Sequence, residues 1–115
     1  MLVNYKEIFK LKVMLDNANI PYEFFDRSWI FINKIEHPSY QIIVYNPNSE
    51  DRLISVIEGY GTYGEEKDLL EIQGCLTEKE EQEDSVLGSL TAREVFKRIK
   101  KGISKWIIMI ITKQI

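Results

Sequence analysis

The chain has 115 residues, of which 44% are hydrophobic, and a formal net charge of −3. This size and composition predict one globular domain over residues 1–115 with a single hydrophobic core. An internal disulfide is excluded because Cys75 is the only cysteine. The longest apolar run, Trp106 to Ile111, is far shorter than the ~18 residues of a membrane-spanning helix. The amino terminus lacks the apolar run of a signal peptide, so we expect a cytoplasmic protein that binds no membrane.

The first half of the chain predicts one helix followed by four short strands. Residues 4–17 place apolar side chains three and four positions apart, and Pro21 disfavours a helical conformation at the residue before it. Asp26 and Arg27 are expected to form a tight hairpin turn between the first two strands. Short connections favour an antiparallel meander. The four β-rich runs cover residues 22–25, 28–33, 40–46 and 52–60.

The second half of the chain predicts helices. A helix over residues 65–72 is expected after the last strand, and a later helix from Ala92 to Lys101 is expected to end at Gly102. The resulting fold class is α+β, with two or three C-terminal helices on one face of a sheet of about four strands. Two sequences match the capping box of a helix start, Thr77 with Glu80 and Thr91 with Glu94.

The tail over residues 103–115 contains six isoleucines in 13 residues and is predicted to be a strand. Its apolar side chains would point to both faces, which indicates a strand covered on both sides. We expect it to extend the sheet or to pair with a second copy, forming a homodimer. The alternative is a membrane-surface anchor, because the residues before Trp106 are basic, but the run lacks the polar face of such a helix.

Gly59, Gly61 and Gly64 have the spacing G-x-G-x-x-G, which in nucleotide-binding folds joins a parallel strand to a helix. Here the strand belongs to a predicted antiparallel meander. The segment after it begins with Glu65 and Glu66, which would repel a phosphate at a helix start. The sequence therefore predicts no nucleotide and no other cofactor, and the glycines are expected to allow a sharp exit from the sheet.

Residues suited to catalysis or metal binding are sparse. His37 is the only histidine and Cys75 the only thiol, so no metal site is predicted. Apolar neighbours of Cys75 are typical of a buried, unreactive thiol. A small hydrolase would need a pocket that brings together Tyr63, Glu71, Cys75 or His37, and we assign no catalytic residue.

Charge is divided unevenly along the chain. Residues 65–84 carry nine acidic and two basic side chains, a net charge of −7, whereas residues 85–115 carry seven basic side chains and one acidic, a net charge of +6. One interpretation is two solvated faces of opposite sign. The other is an acidic surface that binds a partner together with Tyr63, a residue that otherwise covers the sheet edge. Its carboxylates are those of Glu65, Glu66, Asp68, Glu78, Glu80, Glu81, Glu83 and Asp84.

The stretch TYGEEKDLLEIQG, followed by LTEKE and DSVLGSLTAREVFKRIK, resembles a group of uncharacterised small phage and prophage proteins from low-GC Gram-positive bacteria. The resemblance covers residues 62–99, is loose before them and implies no established activity. Gln73 stands where the group tends to carry methionine, and the tail after Gly102 extends beyond the group's usual end. Matching positions are Tyr63, Gly64, Leu69, Leu70, Glu71, Ile72, Gly74, Leu76, Thr77, Asp84, Ser85, Val86, Gly88, Leu90, Thr91, Ala92, Val95, Phe96, Arg98 and Ile99.

These observations favour a small phage-type module that binds a host protein. We expect inhibition of that protein, such as one of host defence, by an acidic segment that occupies a groove built for DNA or RNA. The alternative is a nucleic-acid-binding accessory protein, since the element order is shared with double-stranded-RNA-binding domains. A pI near 5.2 opposes phosphate binding. The basic helix over 92–101 would supply Arg93, Lys97, Arg98, Lys100 and Lys101.

Overall fold

A computed structural model describes residues 5–30, 36–59, 62 and 65–113, and of Ile30, Glu36 and Glu65 it describes the backbone alone. The chain forms three α-helices and seven strands within these residues. In chain order they are α1 (Glu7–Asn17), β1 (Glu23–Asp26), β2 (Trp29–Ile30), β3 (Glu36–His37), β4 (Ser39–Tyr45), β5 (Arg52–Gly59), a 3-10 turn (Glu65–Lys67), β6 (Leu70–Gly74), α2 (Glu78–Glu83), β7 (Leu87–Leu90) and α3 (Ala92–Lys113).

Five strands form one antiparallel sheet in the order β1-β4-β5-β6-β7. The α+β class and the antiparallel topology predicted from the sequence are therefore confirmed. The expected hairpin at Asp26 and Arg27 is wrong, because β1 pairs with β4 and β2 pairs with β3 in a separate two-stranded sheet. The Asp26 carboxylate accepts a hydrogen bond from the Ser28 amide at 2.9 Å, and this local turn directs the chain away from β1.

The hydrophobic core lies between the large sheet and the two long helices. Alternate residues of β4 and β5 face the helices because successive side chains of a strand point to opposite faces. Burying one large aliphatic side chain stabilises the fold by roughly 1.5–3 kcal/mol. The fully buried core side chains include Ile8, Leu11 and Leu15 of α1, Ile42, Val44, Ile54 and Val56 of the sheet, and Val95 and Ile99 of α3.

The predicted helix over residues 65–72 is wrong. A single 3-10 turn covers Glu65–Lys67, and the chain then enters β6, which pairs with both β5 and β7. Asp68 has a left-handed backbone with φ 55°, which ends the helical turn. Leu70 and Ile72 are buried two positions apart, so the apolar period is that of a strand.

Helix α3 continues through Gly102 to Lys113, so the predicted end at Gly102 and the predicted strand over the tail are both wrong. A Cβ atom at position 102 would lie 2.8 Å from Leu53 Cδ1, which shows that this glycine allows close packing against β5. The start of α3 agrees with the sequence, since Thr91 and Glu94 exchange the two hydrogen bonds of a capping box. No helix in the described part of the chain combines the length and apolar character needed to cross a membrane.

Candidate functional site

Helix α2 is held in place by its own cap and by an ion pair to α3. Thr77 Oγ1 accepts from the Glu80 amide at 3.2 Å, and the Glu80 carboxylate accepts from the Thr77 amide at 2.9 Å, which confirms the predicted capping box. Arg98 donates from Nη1 and Nη2 to the two oxygens of Glu80, both at 2.8 Å. The hydrogen bonds from Arg98 and from the Thr77 backbone lower the pKa of Glu80 to about 2. Glu80 is therefore ionised at neutral pH and attaches α2 to α3 through Arg98.

The predicted acidic surface divides into engaged and exposed carboxylates. The oxygens of Asp68 and Glu80 already accept hydrogen bonds within the fold, and Asp84 Oδ1, although exposed, accepts from the Val86 amide at 3.2 Å. Tyr63 and the side chain of Glu65 lie outside the described residues. Helix α2 buries none of its residues. The exposed members of the predicted surface are Glu66, Glu78, Glu81, Glu83 and Asp84.

Asp68 caps the start of α1 from a distant part of the chain. The N-cap residue of α1, Lys6, provides no side-chain cap of its own. Asp68 Oδ1 instead accepts from the backbone amides of Lys6 and Glu7, at 2.8 and 3.2 Å. A carboxylate is favoured there because the first amides of a helix are unpaired and carry partial positive charge.

A second carboxyl group, that of Glu58, lies fully buried beside Asp68. Glu58 Oε1 accepts from the Ile8 amide at 3.1 Å, whereas Glu58 Oε2 is buried and has no hydrogen-bond partner among the described residues. Burial, and then the neighbouring Asp68 carboxyl, raise the pKa of Glu58 to about 9. Partial burial opposes ionisation of Asp68, but its interactions with Glu58 and with the amides of Lys6 and Glu7 outweigh it and hold the pKa of Asp68 below its ordinary value.

Glu7 extends this carboxyl cluster to α3. Its Oε2 accepts from the amide of Ala92, the first residue of α3, at 2.6 Å, and its Oε1 pairs with Lys10 at 2.8 Å. Shifted pKa values of this kind are common at active sites. Here, however, the cluster satisfies the amides at the starts of two helices, and Glu58 is closed to solvent. We therefore assign the cluster a structural role.

Of the four residues considered for catalysis, three lie in the described part of the chain. His37 is buried in β3 and stacks on Trp29, with ring centroids 4.4 Å apart. Cys75 follows β6 and is half-buried; burial raises the pKa of its thiol to about 11. Glu71 lies in β6, and Tyr63 lies outside the described residues. Among the described residues, no group of three histidine, cysteine or acidic side chains is placed to hold a metal ion.

The glycine motif begins at the end of β5, which is antiparallel to both of its neighbours. That arrangement differs from the parallel strand of a nucleotide-binding loop. Gly59 is buried against β4, and a Cβ atom at this position would lie 2.8 Å from Ser39 Cα. Gly61 and Gly64 lie outside the described residues. The absence of nucleotide binding remains a prediction.

A groove of about 670 Å³ runs along α3 beside the end of the sheet. It extends from Glu94 to Met109, and Leu53 and residues 75–77 form its opposite wall. Trp106 lines the groove and donates from Nε1 to the Pro47 carbonyl at 3.0 Å, which fixes the indole. A cleft of this volume lies in the range typical of ligand-binding sites. The sequence does not predict the groove, because the composition of the tail predicts a strand and not the continuation of α3.

The cations of α3 differ in what they contact. Arg98 is occupied by Glu80 and the Cys75 carbonyl, and Lys100 lies over the Phe96 ring, 4.8 Å from its centroid. Three exposed lysines line the groove and form no ion pair in the described part of the chain. They are Lys97, Lys101 and Lys105.

The last turns of α3 expose an apolar patch. The fractional exposures are 44% for Ile107, 64% for Ile108, 40% for Met109 and 54% for Ile111. Adjacent exposed side chains of this size commonly mark an interaction surface.

The chain matches no protein-family model, and no curated protein or solved structure is significantly similar to it.

Proposed function

We propose that this protein is a small protein-interaction module that binds a partner protein through the exposed carboxylates of α2 and of the residue that follows it. The observation that carries the proposal is that α2 buries no residue, although the capping box and Arg98 hold it in one position. A helix fixed in this way displays its surface without an ordering cost on binding. The displayed carboxylates are those of Glu78, Glu81 and Glu83 in α2 and of Asp84, the residue that follows it.

The chemistry of these carboxylates favours a cationic partner surface. Carboxylates pair with arginine and lysine, and complementary charge accelerates encounter and selects among partners. Grooves that bind DNA or RNA carry such cations. In this proposal the partner is a protein of the bacterial host, and occupation of its groove inhibits it.

The experiment compares two pairs of charge reversals. The test variant carries Glu81→Lys and Glu83→Lys, and the control carries Glu50→Lys and Asp51→Lys, which are also exposed and change the net charge equally. Partners captured from nuclease-treated host lysate are identified, purified and titrated calorimetrically against each variant. We expect the test variant to bind at least about tenfold more weakly, with the control unchanged. Equal binding by all three proteins would refute the proposed surface.

The nucleic-acid alternative is supported less well by the contacts of α3. Arg98 is engaged by Glu80, and Lys100 covers an aromatic ring, so two of the five predicted cations already have contacts within the fold. Capture that disappears on nuclease treatment, together with direct binding of duplex RNA, would favour this alternative.

We also propose that the apolar patch of α3 mediates self-association. In a symmetric dimer the same patch meets its copy, so Ile107, Ile108 and Ile111 would each be covered without a second type of surface. Burial of these side chains supplies the driving force.

A further inference from the structure

The groove beside α3 combines an apolar floor with a row of unpaired cations. We propose that it binds an amphipathic helix of a partner protein that carries a row of carboxylates. The groove adjoins the start of α2 at Thr77, but none of the exposed carboxylates of α2 lines it, and its proposed occupant has the opposite charge to the partner surface proposed for α2.

The floor of the groove suits the apolar stripe of such a helix. Leu53, Leu76, Trp106 and Met109 line it, and Trp106 is held by its hydrogen bond to Pro47. From residue 94 to residue 109 the groove follows α3 for about 22 Å, at 1.5 Å per residue, or about four helical turns. A helix placed along it can insert side chains from several successive turns, which is the usual mode of binding a helix in a groove.

The rim of the groove specifies the charge of the occupant. Lys97, Lys101 and Lys105 are four residues apart, so they rise in steps of about 6 Å along α3. Carboxylates spaced four residues apart on a partner helix have the same rise and can pair with all three lysines. A small amphiphile with one carboxylate would use one of them. The repeated spacing therefore favours a helix over a fatty acid.

Among the described residues that line the groove, Glu94 is the only acidic one, so the lining keeps a net positive charge. Glu94 lies at one end and accepts hydrogen bonds from the backbone and side chain of Thr91. Arg98 is paired with Glu80, which keeps that carboxylate away from the lysines. A basic helix would be repelled by the three lysines, so the groove selects its occupant by the sign of its charge as well as by its shape.

The experiment uses designed peptides of about 18 residues, a length at which helices begin to form in water. The acidic peptide carries a leucine stripe flanked by glutamates four residues apart. The glutamine peptide has glutamine in place of each glutamate, and the lysine peptide has lysine there. A fourth is the acidic peptide with a central proline. Binding is measured by amide and indole NMR, in which the Nε1–H signal of Trp106 reports directly on the groove.

We expect saturable one-to-one binding of the acidic peptide, with shifts at Trp106 and Leu53. The glutamine peptide should bind more weakly, and the lysine and proline peptides at least about tenfold more weakly. Lys101→Glu with Lys105→Glu should abolish binding of the acidic peptide and create binding of the lysine peptide. The control variant carries Arg93→Glu with Lys113→Glu, which makes the same change in charge at exposed positions outside the groove.

Several results would overturn the proposal. Failure of the acidic peptide to bind the folded wild-type protein is one, and equal binding by the Lys101→Glu, Lys105→Glu variant is another. Saturable binding of decanoate without binding of the acidic peptide would assign the groove to a small amphiphile instead. Glu81→Lys with Glu83→Lys should leave peptide binding unchanged, so this site and the α2 surface can fail separately.

Discussion

The carboxyl groups of Glu58 and Asp68 lie side by side beneath the start of α1, the first fully buried and the second partly exposed. Glu58 is fully buried and its pKa is raised to about 9, whereas the pKa of Asp68 is lowered, so at neutral pH the proton resides on Glu58. The Glu58 carboxyl also accepts from the Ile8 amide, and Asp68 accepts from Lys6 and Glu7. The pair thereby joins β5 to α1 without burying two negative charges.

The first prediction concerns the pH dependence of stability. Unfolded Glu58 ionises near 4.5 and the folded residue near 9, so ionisation of the unfolded chain favours unfolding across this window. The protonated Glu58 carboxyl contributes its full stability below pH 4.5, and this contribution declines as the pH rises towards about 9. Glu58→Gln keeps an acceptor and a donor but cannot ionise, so its free energy of unfolding should decline less between pH 5 and pH 9. Urea unfolding at both pH values, with Glu66→Gln as the exposed control, checks this; parallel declines would contradict it.

The second prediction concerns the anchor of α2. Because Arg98 and the Thr77 amide lower the pKa of Glu80 to about 2, its ionised form stabilises the fold above its ordinary pKa, and that stability is lost as the pH falls towards 2. Glu80→Gln should therefore lower the free energy of unfolding by about 1 kcal/mol at pH 7. The difference from wild type should shrink near pH 2. Glu81→Gln, at the exposed neighbouring position, should have no measurable effect, and an equal loss in both variants would argue against the ion pair.

These side-chain contacts show why the sequence predicted some features and not others. Capping boxes at Thr77 and Thr91 depend on residues three positions apart, and the sequence identified both correctly. The role of Gly102 depends on Leu53, which is distant in sequence, so the local pattern around this glycine predicts a helix end that the fold does not have. The cap of α1 comes from Asp68, again through a long-range contact that no local pattern indicates.

The tail shows a further limit of local patterns. Six isoleucines favour a strand by intrinsic preference, but Ile103 packs against the core in continuity with Ile99. The packing of α3 on the sheet therefore overrides that preference. The groove could not be foreseen, because it requires α3 to continue past Gly102 and bring Trp106 to Pro47.

The third prediction concerns the reactivity of Cys75. Burial raises the pKa of the thiol to about 11, and the thiolate is the reactive form. Iodoacetamide should therefore modify the native protein slowly at pH 8, and the rate should keep rising to about pH 11. Mass spectrometry follows the modification, and the urea-unfolded chain is the control, for which rapid labelling at pH 8 is expected. Equally rapid labelling of native and unfolded protein would contradict a protected thiol.

The last prediction separates the two roles of the end of α3, core packing and self-association. Trp106 is partly buried and hydrogen-bonded to Pro47, whereas Ile107, Ile108 and Ile111 are exposed. A chain ended after Trp106 should therefore keep a melting temperature close to that of the full chain measured under conditions in which it is monomeric. At higher concentration the full chain should have the mass of a dimer by light scattering, and the shortened chain that of a monomer.

Trp106→Ala should give the opposite result. It removes a packed indole and leaves the Pro47 carbonyl without its donor, so the free energy of unfolding should fall by about 2 kcal/mol, less than for a fully buried tryptophan. The apolar patch is retained, so the variant should still dimerise under conditions in which it remains folded. If the shortened chain instead keeps the mass of the full-length protein, self-association does not use Ile107, Ile108 and Ile111. If it loses stability as a monomer, these isoleucines contribute to the fold of the single chain, because no second copy is present to cover them.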